Sequence, residues 1–143
     1  SDQQFVFYTN YLSHKGKDLQ QNPNASLLFF WPGLERQIRI EGTVNKISEA
    51  ESDAYFYSRP RISQAGAVVS NQSEVIGGRE DLDEQMRVLM ADETIKIDRP
   101  KHWGGYEIVV DRVEFWQGRP SRLHDRLLYE FDESVWNKKR LAP

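Results

Sequence analysis

The sequence contains no cysteine. That excludes a disulfide framework, a thiolate nucleophile, an iron-sulfur cluster and any cysteine zinc site, and it is compatible with a reducing cytoplasm. Histidine is scarce: His14, His102 and His124 are the 3 in the chain. They share no zinc-like spacing with one another or with a carboxylate, so no metal is expected. There is no G-x-G-x-x-G after a strand pattern and no P-loop, which removes support for a dinucleotide-type Rossmann site or an NTPase. No apolar run is long enough to span a bilayer, and the first residues lack the basic-then-apolar layout of a leader. Repeats and low-complexity segments are absent as well. Strong charge of either sign is also missing. A formal net charge of -3 gives no general pull toward nucleic acid or an anionic membrane, so any anion site must be local. The expected setting is cytoplasmic and soluble, with neither nucleic acid nor membrane as partner.

What is present suits one globular domain. A length of 143 residues, 38% of them hydrophobic and 12% aromatic, allows one substantial core but not two independent ones. Ser1 to Gln4 is polar and reads as a cut end, after which Phe5 to Thr9 has strand character. Ser13 caps a short helix that runs to Gln21 and stops at Asn22-Pro23. Ala25 to Trp31 is a nearly continuous apolar run, as expected of a strand buried on both faces, with a turn at Pro32-Gly33. Ile38, Ile40 and Val44 alternate with polar residues, the clearest strand pattern in the chain. Ser48 and Glu51 form a capping box for a helix that ends at Arg59-Pro60, and a second short helix covers Ser63 to Val69. Gly77-Gly78 precedes an amphipathic helix from Glu80 to Ala91, with Leu82, Met86 and Leu89 on its core stripe. Tyr106, Ile108 and Val110 alternate, then Val113 and Phe115 continue on a shifted phase, which predicts a β-bulge near Asp111-Arg112. Leu127 to Phe131 continues as a strand, and Val135-Trp136 begins a last one.

Several polar groupings could carry chemistry. In the stretch Glu114-Phe115-Trp116-Gln117-Gly118-Arg119-Pro120-Ser121-Arg122-Leu123-His124-Asp125-Arg126, an extended backbone would put Arg122, His124 and Arg126 on one face. Such a cationic row suits an anion or an electron-rich ring, but it equally suits a solvated edge strand screened by Glu114 and Asp125. Tyr55, Arg59 and Ser63, each four residues from the next, could line a pocket with a phenol, a guanidinium and a hydroxyl. These are good phosphate-binding types, although a Tyr/Arg stack with a helix cap is the simpler structural reading. His14 and Lys15 fall in a first helical turn, where backbone N–H groups favour an anion, or they form an ordinary basic surface turn. Gln37 sits on the polar face of its strand.

The run from Glu114 to Arg126, with Trp116 six residues before Arg122, resembles the C-terminal signature of the pyridoxine (pyridoxamine) 5'-phosphate oxidases. The closing Arg140-Leu141-Ala142-Pro143 is similar to that family's C-terminus, and the likeness extends back to Phe5. The resemblance implies a mainly β fold, an FMN-binding split barrel (a β-barrel with peripheral α-helices), in one domain over 1–143 and a homodimer. It implies oxidation of pyridoxine 5'-phosphate or pyridoxamine 5'-phosphate to pyridoxal 5'-phosphate. FMN would take a hydride from the substrate's C4' carbon, and O2 would reoxidise it to give H2O2. By the same resemblance Arg122 and His124 position the substrate as catalytic residues, while Tyr55, Arg59 and Ser63 hold its phosphate. FMN contacts fall to Tyr8, Thr9, Lys15, Gln37, Trp116 and Arg126, with Gln72 and Ser73 supplied from the partner subunit. His14 stands where the family pattern has arginine, so its phosphate support would require a protonated imidazole.

One departure concerns the beginning of the chain. Family members carry a portion before the strand that matches Phe5 to Thr9, including an arginine/lysine motif that contacts flavin phosphate and substrate, and no counterpart is found here. That predicts a truncated chain. It keeps open a non-catalytic split-barrel module or fragment that binds flavin or pyridoxal phosphate. A related flavin oxidase acting on another aromatic substrate is a further alternative, since fold does not fix substrate.

Overall fold

The computed structural model describes residues 5–143, so the expectation for Ser1 to Gln4 lies outside the described residues. Six strands are present: β1 (Phe5–Asn10), β2 (Asn24–Trp31), β3 (Arg36–Lys46), β4 (Trp103–Gln117), β5 (Asp125–Asp132) and β6 (Val135–Leu141). Four helices accompany them: α1 (His14–Gln21), α2 (Glu49–Ser58), α3 (Arg61–Val69) and α4 (Arg79–Met90). The chain divides into two compact units, each described by itself below. One takes in Pro23–Asn45 and Ile108–Pro143; the other takes in Val6–Asn22 and Lys46–Glu107.

The first unit is an antiparallel meander in the order β2-β3-β4-β5-β6, in which β2 and β6 are the ends and the sheet is not closed. β3 forms because its alternation is regular: Ile40, Gly42 and Val44 are buried while their neighbours are not. Registers are regular too, with Trp116 opposite Arg126 and Leu127 opposite Arg140.

Two expectations need correction here. β2 is not buried on both faces: Leu28 is 61% and Phe30 56% exposed, because β2 is an end strand with β3 as its neighbour. The β4–β5 ladder keeps one register from Arg112 to Gln117, beginning at the edge of the bulge expected near Asp111-Arg112. Along β4, Ile108 and Glu114 are buried on one face, and Val109 and Phe115 are exposed on the other. Lastly, Arg122, His124 and Arg126 do not share one strand face. Pro120–Arg122 forms a 3-10 turn, and β5 begins only at Asp125. Pro120 presets the turn, and Ser121 and Arg122 both take a φ of 60°, a left-handed pair that no extended strand can include.

The second unit holds the helices. The capping box is present: the Ser48 hydroxyl accepts from the Glu51 N–H at 3.1 Å, and the Glu51 carboxylate accepts from the Ser48 N–H at 3.0 Å. Ser13 caps α1 in the same manner, accepting from the Gly16 N–H at 3.1 Å. Phe56, Ala65, Ile97 and Trp103 form the buried core, against which Met86, Leu89 and Met90 of α4 pack. β1 pairs with β4. Gly104 permits the close approach there, since a Cβ would lie 2.2 Å from the Tyr11 hydroxyl and 2.9 Å from that of Ser52.

Candidate functional site

The expected site residues fall into two groups, one in each unit. In the first unit β3, β4 and β5 present Gln37, Trp116 and Arg126 to one cavity of about 380 Å³, also lined by Leu28, Arg39 and Glu114. Glu114 organises this cavity. Arg126 donates to its carboxylate twice, at 2.7 and 3.1 Å, and Arg39 donates at 3.2 Å. The Glu114 side chain is nearly buried while Arg126 and Arg39 stay partly exposed, so these bonds are screened less than surface pairs. Hydrogen bonding from Arg126 holds the Glu114 carboxyl below the usual carboxylate range, against the opposing effect of burial, with Arg39 and Arg112 adding to it. Arg126 also donates to the Ala142 carbonyl at 3.0 Å, which ties the C-terminal residues to the cavity wall. A guanidinium has five N–H donors, so Arg126 retains capacity toward a ligand. The Gln37 amide makes no side-chain hydrogen bond among the described residues and can serve a ring edge with donor and acceptor.

Arg122 and His124 lie on the turn before β5. The His124 ring packs against Trp116, with centroids 4.8 Å apart. Its Nδ1 accepts from the Arg119 N–H at 3.2 Å, which in the neutral ring places the proton on Nε2. Asp125 holds the turn from below, accepting from Arg119 at 2.8 Å and from Arg140 at 2.7 Å. Those two arginines draw the Asp125 carboxyl below its ordinary range. Arg122 has no ion pair among the described residues, so its charge remains available.

In the second unit Tyr8 stacks on Tyr55 at 3.7 Å between centroids and on Trp103 at 5.5 Å. Burial raises the Tyr8 phenol above its ordinary value, with Tyr55 and Glu51 adding to the effect. The Thr9 hydroxyl and the Asn10 N–H both donate to Gln72 Oε1, each at 3.2 Å. Thr9 and Gln72 are thus joined within one chain. Arg59 and Ser63, with Asn10, Ser70, Gln72 and Trp103, line a cleft of about 290 Å³. Arg59 is the C-cap of α2 and Ser63 lies in the first turn of α3, since Pro60 separates the two helices. Tyr55 is not on that cleft's wall; its ring lies in the aromatic stack. His14 and Lys15 open α1 and are exposed, with the Lys15 ammonium 5.3 Å from the Phe7 ring. Ser73 is exposed and takes a φ of 75°.

The chemistry of this donor set fits a flavin phosphate ester and a second oxyanion. The sharpest indication is Arg59, whose Nη1 is buried with no hydrogen-bond partner among the described residues. Sequence reasoning missed Trp103 and undervalued Glu114, which it treated as a charge screen. The signal for Glu114 was its place two residues before Trp116, on the same face of β4.

Fold and site together define a mainly β protein, with an open antiparallel sheet, that presents arginines beside aromatic rings. Residues 1–90 match the family model described as pyridoxamine 5'-phosphate oxidase, and residues 103–143 match one described as the pyridoxine 5'-phosphate oxidase C-terminal dimerisation region. The chain belongs to the pyridoxamine 5'-phosphate oxidase family. It is 53% identical over 139 residues to the pyridoxine/pyridoxamine 5'-phosphate oxidase of Actinobacillus pleuropneumoniae serotype 3, covering 97% of this chain and 66% of that protein. The like-named protein of Acaryochloris marina is 56% identical over 144 residues, covering 99% and 66%. The chain therefore spans just under two thirds of the length of these relatives. Among solved structures, PhzG from Burkholderia lata 383, in complex with tetrahydrophenazine-1-carboxylic acid, has a TM-score of 0.91 at 32% identity and covers 100% of this chain and 70% of that one. A pyridoxamine 5'-phosphate oxidase-related, FMN binding protein from Nostoc punctiforme has a TM-score of 0.73 at 17% identity, covering 98% and 73%, a likeness of fold. The expected split-barrel class holds, with the sheet open in strand order.

Proposed function

We propose that this chain is the flavin-binding and substrate-binding domain of an FMN-dependent, homodimeric oxidase that converts pyridoxine 5'-phosphate or pyridoxamine 5'-phosphate to pyridoxal 5'-phosphate, with O2 reduced to H2O2. The observation that carries this reading is the buried, unpartnered Arg59 Nη1 on one cleft with Ser63, in a chain of this family. A guanidinium edge and a hydroxyl are the donors a phosphate monoester takes. FMN, when bound, supplies the two-electron chemistry, and the chain's residues bind and orient. Gln37, Trp116 and Arg126 form the wall for the flavin ring, with Tyr8, Thr9, His14, Lys15, Gln72 and Ser73 as its further contacts. Arg59 and Ser63 hold the substrate phosphate, while Tyr55, which is not on that cleft's wall, supports it through its stack with Tyr8 and Trp103. Arg122 contributes a free positive charge, and His124, with Nδ1 occupied by Arg119, donates from Nε2 to the substrate.

The test is anaerobic addition of pyridoxine 5'-phosphate or pyridoxamine 5'-phosphate to the FMN-loaded protein. Bleaching of the flavin absorbance is expected. Arg122→Ala and His124→Ala should keep their FMN but reduce it roughly 100-fold more slowly, the scale of effect that misplacing a reacting carbon produces. Wild-type reduction rates in both variants would remove the role assigned to this turn. The likeness to PhzG favours a second reading, oxidation of a carboxylated aromatic substrate. Bleaching by such a compound, with none by the phosphorylated vitamers, would select it.

A further inference from the structure

Trp103 is drawn by none of the family-derived assignments, yet the residues that would hold a phosphate are arranged around it. The Arg59 guanidinium carbon lies 4.9 Å from the Trp103 ring centroid. Tyr55 is parallel to the same indole, at 6.3 Å and 1°, and Phe56 meets it edge-on at 5.4 Å. The indole is itself fixed. Trp103 is 8% exposed within the core, its main-chain N–H donates to the Pro100 carbonyl at 2.9 Å, and its main-chain carbonyl accepts from Arg99 Nη1 at 2.5 Å. Arg99 is clamped in turn by Asp53 at 2.6 Å and by Glu49. One path of contacts thus runs from two α2 carboxylates through Arg99 and Trp103 to Arg59. A guanidinium resting on an aromatic face is partly compensated for its lost water, while its N–H edge stays free. That is the state of Arg59: ring contact on one side, and Nη1 buried with no partner among the described residues. The main chain adds to the constraint, because the Gln64 amide donates to the Arg59 carbonyl at 2.9 Å.

We propose that Trp103 is a positioning residue: its indole face holds the Arg59 guanidinium with Nη1 directed at the phosphate monoester of the substrate. This rests on the phosphate reading given above and adds a residue to it. Without the indole, Arg59 would relax toward water, and the phosphate would lose a preformed partner while the rest of the substrate kept its contacts. The consequence is selective for the phosphate, which a general packing role is not.

The experiment compares pyridoxine 5'-phosphate with pyridoxine for binding to the FMN-loaded protein by calorimetry, and FMN with riboflavin for binding to the flavin-free protein. Trp103→Leu, which keeps an apolar side chain but removes the ring, should lower the phosphate-over-alcohol preference for the vitamer roughly 3-fold to 30-fold, the range of a desolvated cation–π contact. Trp103→Phe should restore most of it, and it carries the comparison against wild type, with a smaller loss expected, if the leucine variant does not fold. In an Arg59→Ala background neither Trp103 substitution should change the preference further. An equal loss for pyridoxine and its phosphate would overturn the proposal in favour of packing. A loss confined to the FMN-over-riboflavin preference would overturn the assignment to the substrate phosphate. If Arg59→Ala abolishes the preference while both Trp103 variants match wild type, the positioning role alone falls. If Arg59→Ala leaves the preference intact, the phosphate site at Arg59 falls, and the positioning role with it.

Discussion

A cluster of arginines in the first unit and a single arginine in the second are held in opposite ways. In the first, Arg126 and Arg39 converge on Glu114, and Arg119 and Arg140 converge on Asp125. These charges are satisfied internally, and their function is to hold a wall and a turn in place. In the second, Arg59 lies on an indole and keeps a buried nitrogen without a partner among the described residues. Buried charge that is paired shapes a site, whereas buried charge left unpaired awaits a ligand, because the desolvation cost of the latter is offset only on binding.

The largest effect expected from this contrast is on stability in the first unit. Glu114→Ala would leave Arg126 and Arg39 facing each other beside a nearly buried position. It should destabilise the protein by about 2 kcal/mol, between the surface and buried limits for an ion pair, because Arg126 and Arg39 keep part of their surface in water. Urea unfolding measures this, and a loss below about 1 kcal/mol would mean that the network is no better than a surface one.

Arg59→Met sharpens the comparison from the other side. Methionine keeps the length, gives up the cation–π contact and removes the unpaired nitrogen, so stability should stay within about 1 kcal/mol of the parent. Affinity for a phosphorylated vitamer should nonetheless fall roughly 10-fold to 100-fold, the scale of a lost charge-assisted hydrogen bond. A parallel loss of stability and affinity would place Arg59 among the structural arginines.

The smallest effects are on pH dependence. Glu114 and Asp125 have lowered folded values, so the unfolded chain takes up protons first as pH falls. Their contribution is present above about pH 4 and is lost as pH drops through the folded values. Tyr8, Tyr11 and Tyr106 have raised values, with burial as the first cause in each. Their contribution is present below about pH 10 and is lost as pH rises through the folded values. Thermal unfolding against pH should therefore show an acid limb that Glu114→Gln flattens and an alkaline limb that Tyr106→Phe flattens. The second substitution should carry little cost at neutral pH, since the Tyr106 hydroxyl is buried with no hydrogen-bond partner among the described residues. An alkaline limb unchanged by Tyr106→Phe would show that this phenol already ionises normally.

Local chemistry was legible in the sequence wherever the cause was local. The Ser48 and Glu51 capping box, the Ser13 cap, the stop at Arg59-Pro60 and the β3 alternation each depend on residues within a few positions of one another, and each is present in the structure. The motif run from Glu114 to Arg126 also sufficed to indicate the family. What the sequence could not determine was which charges would find partners. Glu114 and Arg126 are twelve residues apart and meet because β4 and β5 pair in one register. The strand expected for Arg122 failed because two left-handed residues after Pro120 make a turn, and local patterning carries no sign of φ for serine or arginine. Likewise the exposure of β2 follows from its place at an end of the sheet, which strand order decides and apolar content does not. Arg59 and Trp103 are far apart in the chain, and only the packing of α2 against the start of β4 brings a guanidinium onto an indole. Short-range preference thus determined the elements, while pairing and packing decided which cations remain free for a ligand.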